Sequence, residues 1–417
     1  MHSENLYFLH EIITPTEESR EVYGNVYQLA LTRVENDDIY SDSNNLFALS
    51  EHIHSENDAG ISVDSFQKYT GIYEGCFVSK NESGIWVNAN RHPIAKSLIL
   101  KSNNLRGKLK KYVVPPVRTR DDTIFDVCTY HVNIGHGNTS LIVFKQCGEC
   151  HIWMIDCSCY DYILHKNFIK NLNECFLYIM DKYGLSKISI EKLLITHMHF
   201  DHVSAVERMI DEGKLEDGAE IWINTSCTSP SKANIRILDK IHKSYGGCRK
   251  SCYRIVEPIV MNGTDKIEVL YPEVSVTGTN MATDFRAPGG RFNNSSVVYD
   301  IHLEDKSMVF PGDIEKDGWD VISSCFPNMN KATYYCVSHH GSITGHIRSK
   351  CSHGLEINNV SMCCGFIRKA ILMGRRNAYP GIYSQNVLDD FADKLCIVEN
   401  AEHFVELDWY TGKCSFY

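Results

Sequence analysis

The chain has 417 residues, of which 43% are hydrophobic and 23% are charged, a composition ordinary for a soluble globular protein. Its length allows one large domain and a second, smaller one. The net charge of −10 argues against a wholly basic nucleic-acid-binding surface, and no run of about 18 apolar residues is present that could span a membrane. We therefore expect no membrane contact.

The cysteines bear on the cellular compartment. Seventeen of them are spread unevenly along the chain, and Cys325, Cys336 and Cys396 stand within apolar runs. The first residues lack the basic segment and the apolar core of a secretory signal. Both features favour a cytoplasmic protein with reduced, mostly buried thiols over a disulfide framework.

A denser group of thiols lies at Cys147 and Cys150, followed by His151, Cys157 and Cys159. One interpretation is a second, structural zinc site, because thiolates and imidazoles are zinc ligands. The other is a hairpin turn between two strands, with thiols that only pack. The sequence leaves both interpretations open.

Residues 1–122 predict a small α+β domain whose role the sequence leaves open. Weak alternation over residues 22–34 indicates a strand, and residues 71–78 and 84–87 flank a polar turn, as in a β-hairpin. Pro115 and Pro116 predict a boundary, because two consecutive prolines stop both a helix and a strand ladder. We expect the second domain to span residues 123–417.

Charge is distributed unevenly within the first domain. Residues 1–60 carry twelve acidic residues and two lysines or arginines, whereas residues 91–120 carry nine lysines or arginines and no acidic residue. The basic segment, which includes Lys110 and Lys111, suits a polyanion such as nucleic acid. A solvated linker, or a partner for the acidic first sixty residues, is the alternative.

The second domain predicts many short strands with helices between them. Strands are predicted over residues 126–132, 140–144, 151–155, 221–224, 267–271, 295–301, 307–310 and 334–337, with closing strands over 395–398, 404–409 and 414–417. Helices are predicted over 168–182, 204–210 and 231–245, and a mobile loop over 277–292. Polar residues at the strand ends indicate two sheets covered by helices.

Candidate metal ligands concentrate where one predicted strand ends. The apolar residues 193–195 are followed within a few positions by His197, His199, Asp201 and His202. Residues two apart in an extended segment point the same way, so His197 and His199 can reach one point. Asp201 and His202 lie where the chain turns into a helix and can reach a second point. Such a density of imidazole and carboxylate is typical of zinc sites, and a polar surface cluster is the alternative.

Six short motifs and one variant follow one another over residues 123–417. They are 133–140 (NIGHGNTS), 154–156 (MID), 197–202 (HMHFDH), 293–296 (NNSS), 312–313 (GD), 339–342 (HHGS) and the variant 374–380 (GRRNAYP). Their order resembles the metallo-β-lactamase superfamily, and within it the branch typified by the metallo-β-lactamase-like domain of the DNA-uptake protein ComEC. The resemblance implies an α/β (αββα) fold of two mixed sheets flanked by helices. It also implies a metal-dependent hydrolase with two divalent metals, zinc or, as the alternative, manganese.

The sequence departs from this pattern in two places. The wider superfamily has a third ligand histidine that would fall between residues 270 and 300, where this chain has none, and the branch commonly lacks it as well. One metal site is therefore poorer in protein ligands, or a loop residue such as Asp284 completes it. The Gly-His that precedes the last proline of the branch motif is missing before Pro380.

The resemblance also implies which side chains hold the metals. His197 and His199 would hold one metal, and Asp313 would bridge to the other, because a carboxylate has two oxygens. The second metal would take Asp201, His202 and one histidine of the pair at 339 and 340. We take His339 as that ligand, while the choice within the pair stays open.

The remaining candidates would assist the reaction. Together with Asp201 and Asp313, His340 is a candidate catalytic residue that would donate a proton to the leaving oxygen or contact phosphate. Asp156 would orient a ligand histidine. Asn294 and Ser342 are candidate contacts to phosphate or to a ligand, and a turn-capping role is the alternative for both.

The leading functional hypothesis is a phosphodiesterase, more narrowly a nuclease, that uses a hydroxide activated by two metals and acts on nucleic acid. The second hypothesis is hydrolysis of a small ester or phosphodiester, such as a phosphocholine-type ester, a cyclic nucleotide or a lactone. The third is non-catalytic, with the metals holding the fold and residues 1–122 binding a protein partner. The sequence does not fix the oligomeric state.

Overall fold

A computed structural model of the chain describes residues 6–13, 26–34, 53–54, 72–81, 86–109, 124–225, 231–248, 250–252, 254–255, 265–274, 292–325, 332–350, 356–358, 360, 367–379 and 381–417. Several sequence-based predictions lie outside these residues: the boundary at Pro115 and Pro116, the candidate ligand Asp284, the pair Lys110 and Lys111, Pro380, and nearly all of the loop 277–292.

Short strands dominate the described chain. They are β1 (Leu6–Ile13), β2 (Val26–Arg33), β3 (Ile53–His54), β4 (Phe77–Lys80), β5 (Trp86–Asn88), β6 (Ile124–Val132), β7 (Ser140–Gln146), β8 (Glu149–Ile155), β9 (Tyr160–Asp161), β10 (Lys166–Asn167), β11 (Ile190–Leu194), β12 (Leu215–Ile223), β13 (Lys250–Ser251), β14 (Arg254–Ile255), β15 (Asp265–Tyr271), β16 (Glu273–Val274), β17 (Val298–Leu303), β18 (Lys306–Phe310), β19 (Tyr334–Cys336), β20 (Arg348–Lys350), β21 (Glu356–Asn358), β22 (Lys369–Leu372), β23 (Leu395–Ile397), β24 (Phe404–Asp408) and β25 (Cys414–Phe416).

The helices alternate with these strands. They are α1 (Pro93–Leu109), α2 (Ile169–Tyr183), α3 (Phe200–Val203), α4 (Val206–Asp211), α5 (Lys232–Tyr245), α6 (Lys316–Cys325) and α7 (Gln385–Phe391), with 3₁₀ turns at Asn293–Ser295, Ser338–Gly341, Ala392–Lys394 and Val398–Asn400. The predicted helices 168–182 and 231–245 are confirmed as α2 and α5. The predicted helix 204–210 begins earlier, at Phe200, and divides into α3 and α4.

The N-terminal strands form a five-stranded sheet in the order β3-β2-β1-β4-β5. The predicted hairpin is confirmed, because β4 and β5 pair antiparallel. Residues from β1, β2, β4 and β5 bury a small core of their own on this sheet, with Leu9, Leu29 and Leu31 at its centre.

Helix α1 occupies the middle of the basic segment, so the linker interpretation is wrong for residues 93–109. The helix packs on α5, and its residues Leu105 and Leu109 join the core that α5 shares with α2. Lys96, Lys101 and Lys108 stay exposed on the outside. The N-terminal sheet is therefore followed by a helix that is built into the core of the next unit.

Two mixed sheets form most of the rest of the described chain and confirm the predicted fold class, and the remaining strands form the two-stranded pairs β9-β10, β14-β16 and β20-β21. The first mixed sheet has eight strands in the order β13-β12-β11-β8-β7-β6-β24-β25, and the second has six in the order β15-β17-β18-β19-β22-β23. In the first sheet, neighbouring strands from β8 through β11 and β12 to β13 run parallel. In the second, neighbouring strands from β18 through β19 and β22 to β23 run parallel. The other neighbours within these sheets are antiparallel. The closing strands divide, since β23 joins the second sheet while β24 and β25 join the first.

Apolar faces explain why the layers stack as helix, sheet, sheet, helix. Between the sheets lies a core that includes Trp153, Leu194, Tyr299 and Tyr334. A second core fills the space between the eight-stranded sheet and helices α1, α2 and α5. A third packs α6 and α7 on the six-stranded sheet. Because each sheet lies between two cores, apolar side chains point to both faces of its central strands, as Leu193 and Leu194 of β11 do.

Helix ends follow local sequence signals. At the start of α5 the Ser231 hydroxyl accepts a hydrogen bond from the backbone N–H of Asn234, as expected for an N-cap serine. Both α2 and α5 stop at a glycine with positive φ, Gly184 at 67° and Gly246 at 68°. A residue with a side chain would be strained in this left-handed conformation.

The cysteines depart from the expectation of reduced thiols at one position. Cys396 on β23 forms a disulfide with Cys414 on β25, so the bond links an edge strand of one sheet to an edge strand of the other. The two cysteines meet because the chain crosses between the sheets after β23, a topology that cysteine spacing does not reveal. Most cysteines described as free are buried, as predicted.

The hairpin interpretation of the segment Cys147–Cys150 is confirmed. Strands β7 and β8 pair antiparallel, with Gln146 opposite Glu149 and Cys147 in the turn. His151 Nδ1 lies 2.7 Å from Glu191 Oε1, while Cys157 and Cys159 belong to the core beneath the helices. The groups of described side chains that converge closely enough for a metal ion do not include these residues.

Membrane insertion can be judged from helix length and apolarity. Within the described ranges, none of the helices is both long enough and apolar enough to cross a bilayer.

Candidate metal centre

The candidate ligands lie at the carboxyl end of β11, in the middle of the eight-stranded sheet. The strand ends at Leu194, and the chain stays extended through His199, whose φ and ψ are −67° and 148°. Helix α3 begins at the next residue, which places Asp201 and His202 in its only turn. All four predicted ligands of this segment are buried, with His202 fully enclosed.

Four side chains form what we call the second cluster: Asp201, His202, Asp313 and His340. One ligand atom from each lies within 4.8 Å of all the others. The His202 Nε2 is 3.2 Å from Asp313 Oδ2, and the His340 Nε2 is 3.2 Å from Asp201 Oδ2 and 3.4 Å from Asp313 Oδ2. Residues from three distant parts of the sequence therefore converge on one point.

The first cluster consists of His197, His199 and Asp313, whose ligand atoms also lie within 4.8 Å of one another. Here the His197 Nε2 is 3.8 Å from Asp313 Oδ2. Asp313 thus belongs to both clusters. Among the described residues, the first cluster has three donors and the second has four.

Asp156 lies behind the second cluster, at the end of β8. Its Oδ1 accepts a hydrogen bond from the Thr196 backbone N–H at 2.7 Å, and its Oδ2 is 2.8 Å from His202 Nδ1. The carboxylate thereby holds one ring nitrogen of His202 and leaves the other facing Asp313. This is the arrangement by which a carboxylate orients a metal-ligating histidine.

His339 and His340 lie in the reverse of the positions that we expected for them. His340 enters the second cluster, whereas the His339 Nε2 lies 3.2 Å from Asn293 Nδ2 and its Nδ1 lies 3.1 Å from Thr344 Oγ1. Both histidines have positive φ, 47° and 52°, so the backbone turns sharply between them. We had taken His339 as the ligand, but this left-handed turn places the ring of His340, and not that of His339, beside Asp313 in the second cluster.

Asn294 and Ser342 make contacts typical of turn caps. The Asn294 Oδ1 accepts a hydrogen bond from the Glu315 backbone N–H at 2.8 Å. The Ser342 hydroxyl accepts one from the Thr344 backbone N–H at 3.2 Å. Both contacts hold loops that border the clusters, which favours the turn-capping alternative.

His136 borders the second cluster and was missed as a site residue by the sequence analysis. Its ring centroid is 4.2 Å from that of His340, and its Nδ1 is buried without a hydrogen-bond partner among the described residues. The turn that carries it packs against α3, since a Cβ at Gly137 would come within 2.5 Å of the Asp201 carbonyl oxygen. The motif 133–140, which carries part of the family resemblance, is the signal in the sequence that contains His136.

Burial and nearby carboxylates shift the pKa values of the buried histidines in opposite directions. Burial lowers the pKa of His197 well below its usual value and that of His199 to about 4. Burial also acts to lower the pKa of His340, but the carboxylates of Asp313 and Asp201 outweigh it and raise that pKa to about 9. Against the effect of burial, His202 and His340 hold the pKa of Asp313 well below its ordinary range.

The donor set fits a pair of divalent metal ions. Within the described chain, the His197 Nε2 and the Asp313 Oδ1 are buried and have no hydrogen-bond partner. Leaving one such atom unpaired costs on the order of 1–3 kcal/mol, and more for a charged group. A cation between the clusters would satisfy both atoms, and mixed imidazole and carboxylate ligands suit zinc or manganese. The geometry is that of a divalent metal centre built around Asp313.

Comparisons with known proteins add little to this geometry. No protein-family model matches the sequence, and no curated protein matches it. Among solved structures, the chain is similar to the metallo-beta-lactamase fold protein YhfI from Bacillus subtilis, with 16% identity over 51% of this chain and 71% of that one and a TM-score of 0.28. A similarity this weak carries no argument about fold or function, so both rest on the sheets and clusters described above.

Proposed function

We propose that this chain is a metal-dependent hydrolase, and more narrowly a phosphodiesterase that cleaves nucleic acid. The observation that carries the proposal is the sharing of Asp313 between two buried ligand clusters. A pair of divalent ions, when bound, lowers the pKa of water and stabilises the charge that develops on a phosphoryl group. The chain itself supplies the ligands, their orientation and an enclosed site.

The protein groups around the clusters have distinct parts in this proposal. Asp156 fixes the ring of His202, which keeps the second cluster ready for a cation without rearrangement. His136 adds a further imidazole beside His340, at the edge of the second cluster. Because the side chains of the clusters are almost fully buried, charge interactions among them are stronger than they would be at an exposed surface.

The nucleic-acid part of the proposal is supported by α1. Its lysines Lys96, Lys101 and Lys108 are exposed and give this helix basic charge in a chain whose net charge is −10. Exposed lysines contact phosphates without reading sequence, and such contacts weaken as salt concentration rises. We therefore expect the substrate to be a nucleic acid bound without marked sequence preference.

The test is to incubate the zinc-loaded and the manganese-loaded protein with single-stranded DNA, double-stranded DNA, RNA and a small chromogenic phosphodiester. Cleavage of a nucleic acid that is lost in Asp313→Asn supports the proposal. Charge reversal of Lys96, Lys101 and Lys108 to glutamate should weaken nucleic-acid binding and its salt dependence while sparing the small substrate. Cleavage of the small phosphodiester alone would favour the small-ester alternative, and no hydrolysis of any substrate would contradict the proposal.

A further inference from the structure

Glu74 connects the N-terminal sheet to the metal centre. It lies between β3 and β4 and is completely buried, with 0% exposure. Its Oε1 accepts a hydrogen bond from the Ile12 backbone N–H of β1 at 3.1 Å. Its Oε2 accepts one from the Phe292 backbone N–H at 2.6 Å. A buried carboxylate is costly unless it is hydrogen-bonded, so these bonds fix Phe292 against the N-terminal sheet.

Phe292 in turn touches the first cluster. Its ring stacks on the imidazole of His199, with centroids 4.6 Å apart and planes inclined by 24°, and its centroid lies 6.2 Å from that of His197. The side chain is buried, with 1% exposure, so it has little freedom to leave this stack. The orientation of the His199 ring therefore depends on where Phe292 is held.

The neighbouring residues anchor the other end of this connection. Phe292 precedes the 3₁₀ turn Asn293–Ser295, and its carbonyl oxygen accepts a hydrogen bond from the Ser295 backbone N–H at 2.8 Å. Two residues further on, the Val297 N–H donates to the Thr196 carbonyl oxygen at 2.7 Å, directly before His197. Phe292 thus stands between the N-terminal sheet on one side and the ligand strand on the other.

We propose that Glu74 is a positioning residue for the first cluster, acting through Phe292 on His199. The inference rests on the proposed metal centre and assigns the N-terminal sheet a part in building it. The first cluster is the more sensitive of the two, because it has fewer described donors and its His199 is packed against an aromatic ring.

The experiment measures zinc binding, with catalysis as a separate readout. Metal-free full-length protein is titrated with zinc in competition with a chromophoric chelator, for the wild type, Glu74→Ala, Glu74→Gln, Phe292→Leu and the double variant Glu74→Ala with Phe292→Leu. Changing groups that support metal ligands typically weakens metal binding about 10–100-fold, and we expect about tenfold for one of the two ions in Glu74→Ala and Phe292→Leu. Glu74→Gln keeps one acceptor oxygen and should lie between Glu74→Ala and the wild type.

A matched control separates positioning from folding. Leu31→Ala removes a buried side chain from the core of the same N-terminal sheet. It should lower the unfolding temperature while leaving both zinc affinities unchanged. Helix α1 remains packed in the core that it shares with α5, so we expect Glu74→Ala to fold. If Glu74→Ala does not fold, Phe292→Leu tests the same connection.

The outcomes are distinct. Selective weakening of one ion in Glu74→Ala and Phe292→Leu, with no further loss in the double variant, supports the connection. Unchanged affinities in these variants, or equal weakening of both ions, would overturn it while leaving the hydrolase proposal standing. A wild-type protein that binds no zinc or manganese would overturn both.

Discussion

The two ligand clusters share Asp313 and the same degree of burial, yet their histidines are held in opposite states of charge. In the first cluster, burial holds the pKa of His197 and His199 below the usual value for histidine. In the second, nearby carboxylates outweigh burial and raise the pKa of His202 and His340. The protonation of these histidines therefore depends on burial and on the position of the nearby carboxylates together. In the metal-free protein, the first cluster therefore holds neutral imidazoles. The second holds protonated imidazoles paired with carboxylates, and a metal must displace their protons.

Removal of Asp313 should have the largest effect, because both clusters use it. In Asp313→Ala we expect both ions to be lost and hydrolysis to fall by at least about a hundredfold, since even changes behind the ligands cost about 10–100-fold. Metal content by elemental analysis and the initial rate of hydrolysis check this. The exposed Asp305 offers a matched control, and Asp305→Ala should retain both ions. Two ions retained in Asp313→Ala would show that the clusters are not joined.

Separate alanine variants of the paired histidines test which one belongs to the second cluster. We expect His340→Ala to lose one of two ions, because its Nε2 faces Asp201 and Asp313. His339→Ala should keep both, since the ring nitrogens of His339 lie beside Asn293 and Thr344. Elemental analysis of both proteins at equal concentration checks the prediction, and the reverse pattern would restore the original assignment.

Asp156→Asn should affect the second cluster alone. Asparagine cannot hold the His202 ring with a charged oxygen, so we expect one ion to bind about 10–100-fold more weakly while the other is unchanged. Asp390→Asn is the matched control, because the Asp390 Oδ2 likewise lies 2.7 Å from a histidine nitrogen, His346 Nε2, and Asp390 belongs to neither cluster. Chelator competition measures both affinities, and an equal loss in the two variants would count against a specific role for Asp156.

The zinc affinities of the two clusters should also depend differently on pH. Metal binding requires neutral imidazole. At pH 7 in the metal-free protein, His199 is already neutral because its pKa is about 4, whereas His340 is protonated because its pKa is about 9. Because the carboxylates also raise the pKa of His202, two protons leave the second cluster on metal binding, and its affinity should rise about a hundredfold per pH unit between pH 6 and pH 8, while that of the first stays nearly constant. Competition titrations at pH 6, 7 and 8 measure this, and equal slopes for the two ions would contradict the comparison.

The sequence predicted the layer order and the strand-end position of the ligands, because apolar runs and polar strand ends are local signals. It failed where the outcome depends on long-range geometry. The ring orientations of His339 and His340 follow from two left-handed backbone positions that the sequence HHGS does not predict. The disulfide between Cys396 and Cys414 follows from a crossover between sheets.

The basic segment illustrates a different kind of failure. Its charge count suggested a linker or a polyanion surface, although Ala95, Leu98, Leu105 and Leu109 fall on the buried side of a helix. The spacings of three, seven and four residues between these positions are those of one helix face, so the sequence carries a helical signal here beside its high content of lysine and arginine. Contact with α5 supplies the stabilisation that local pattern does not show.

The most direct test of the two-cluster account is a crystal structure of the zinc-loaded protein with anomalous diffraction data collected at the zinc absorption edge. The account predicts two anomalous peaks, one beside His197 and His199, the other beside Asp201, His202 and His340, with Asp313 in contact with both. A single peak, or zinc bound away from Asp313, would contradict it.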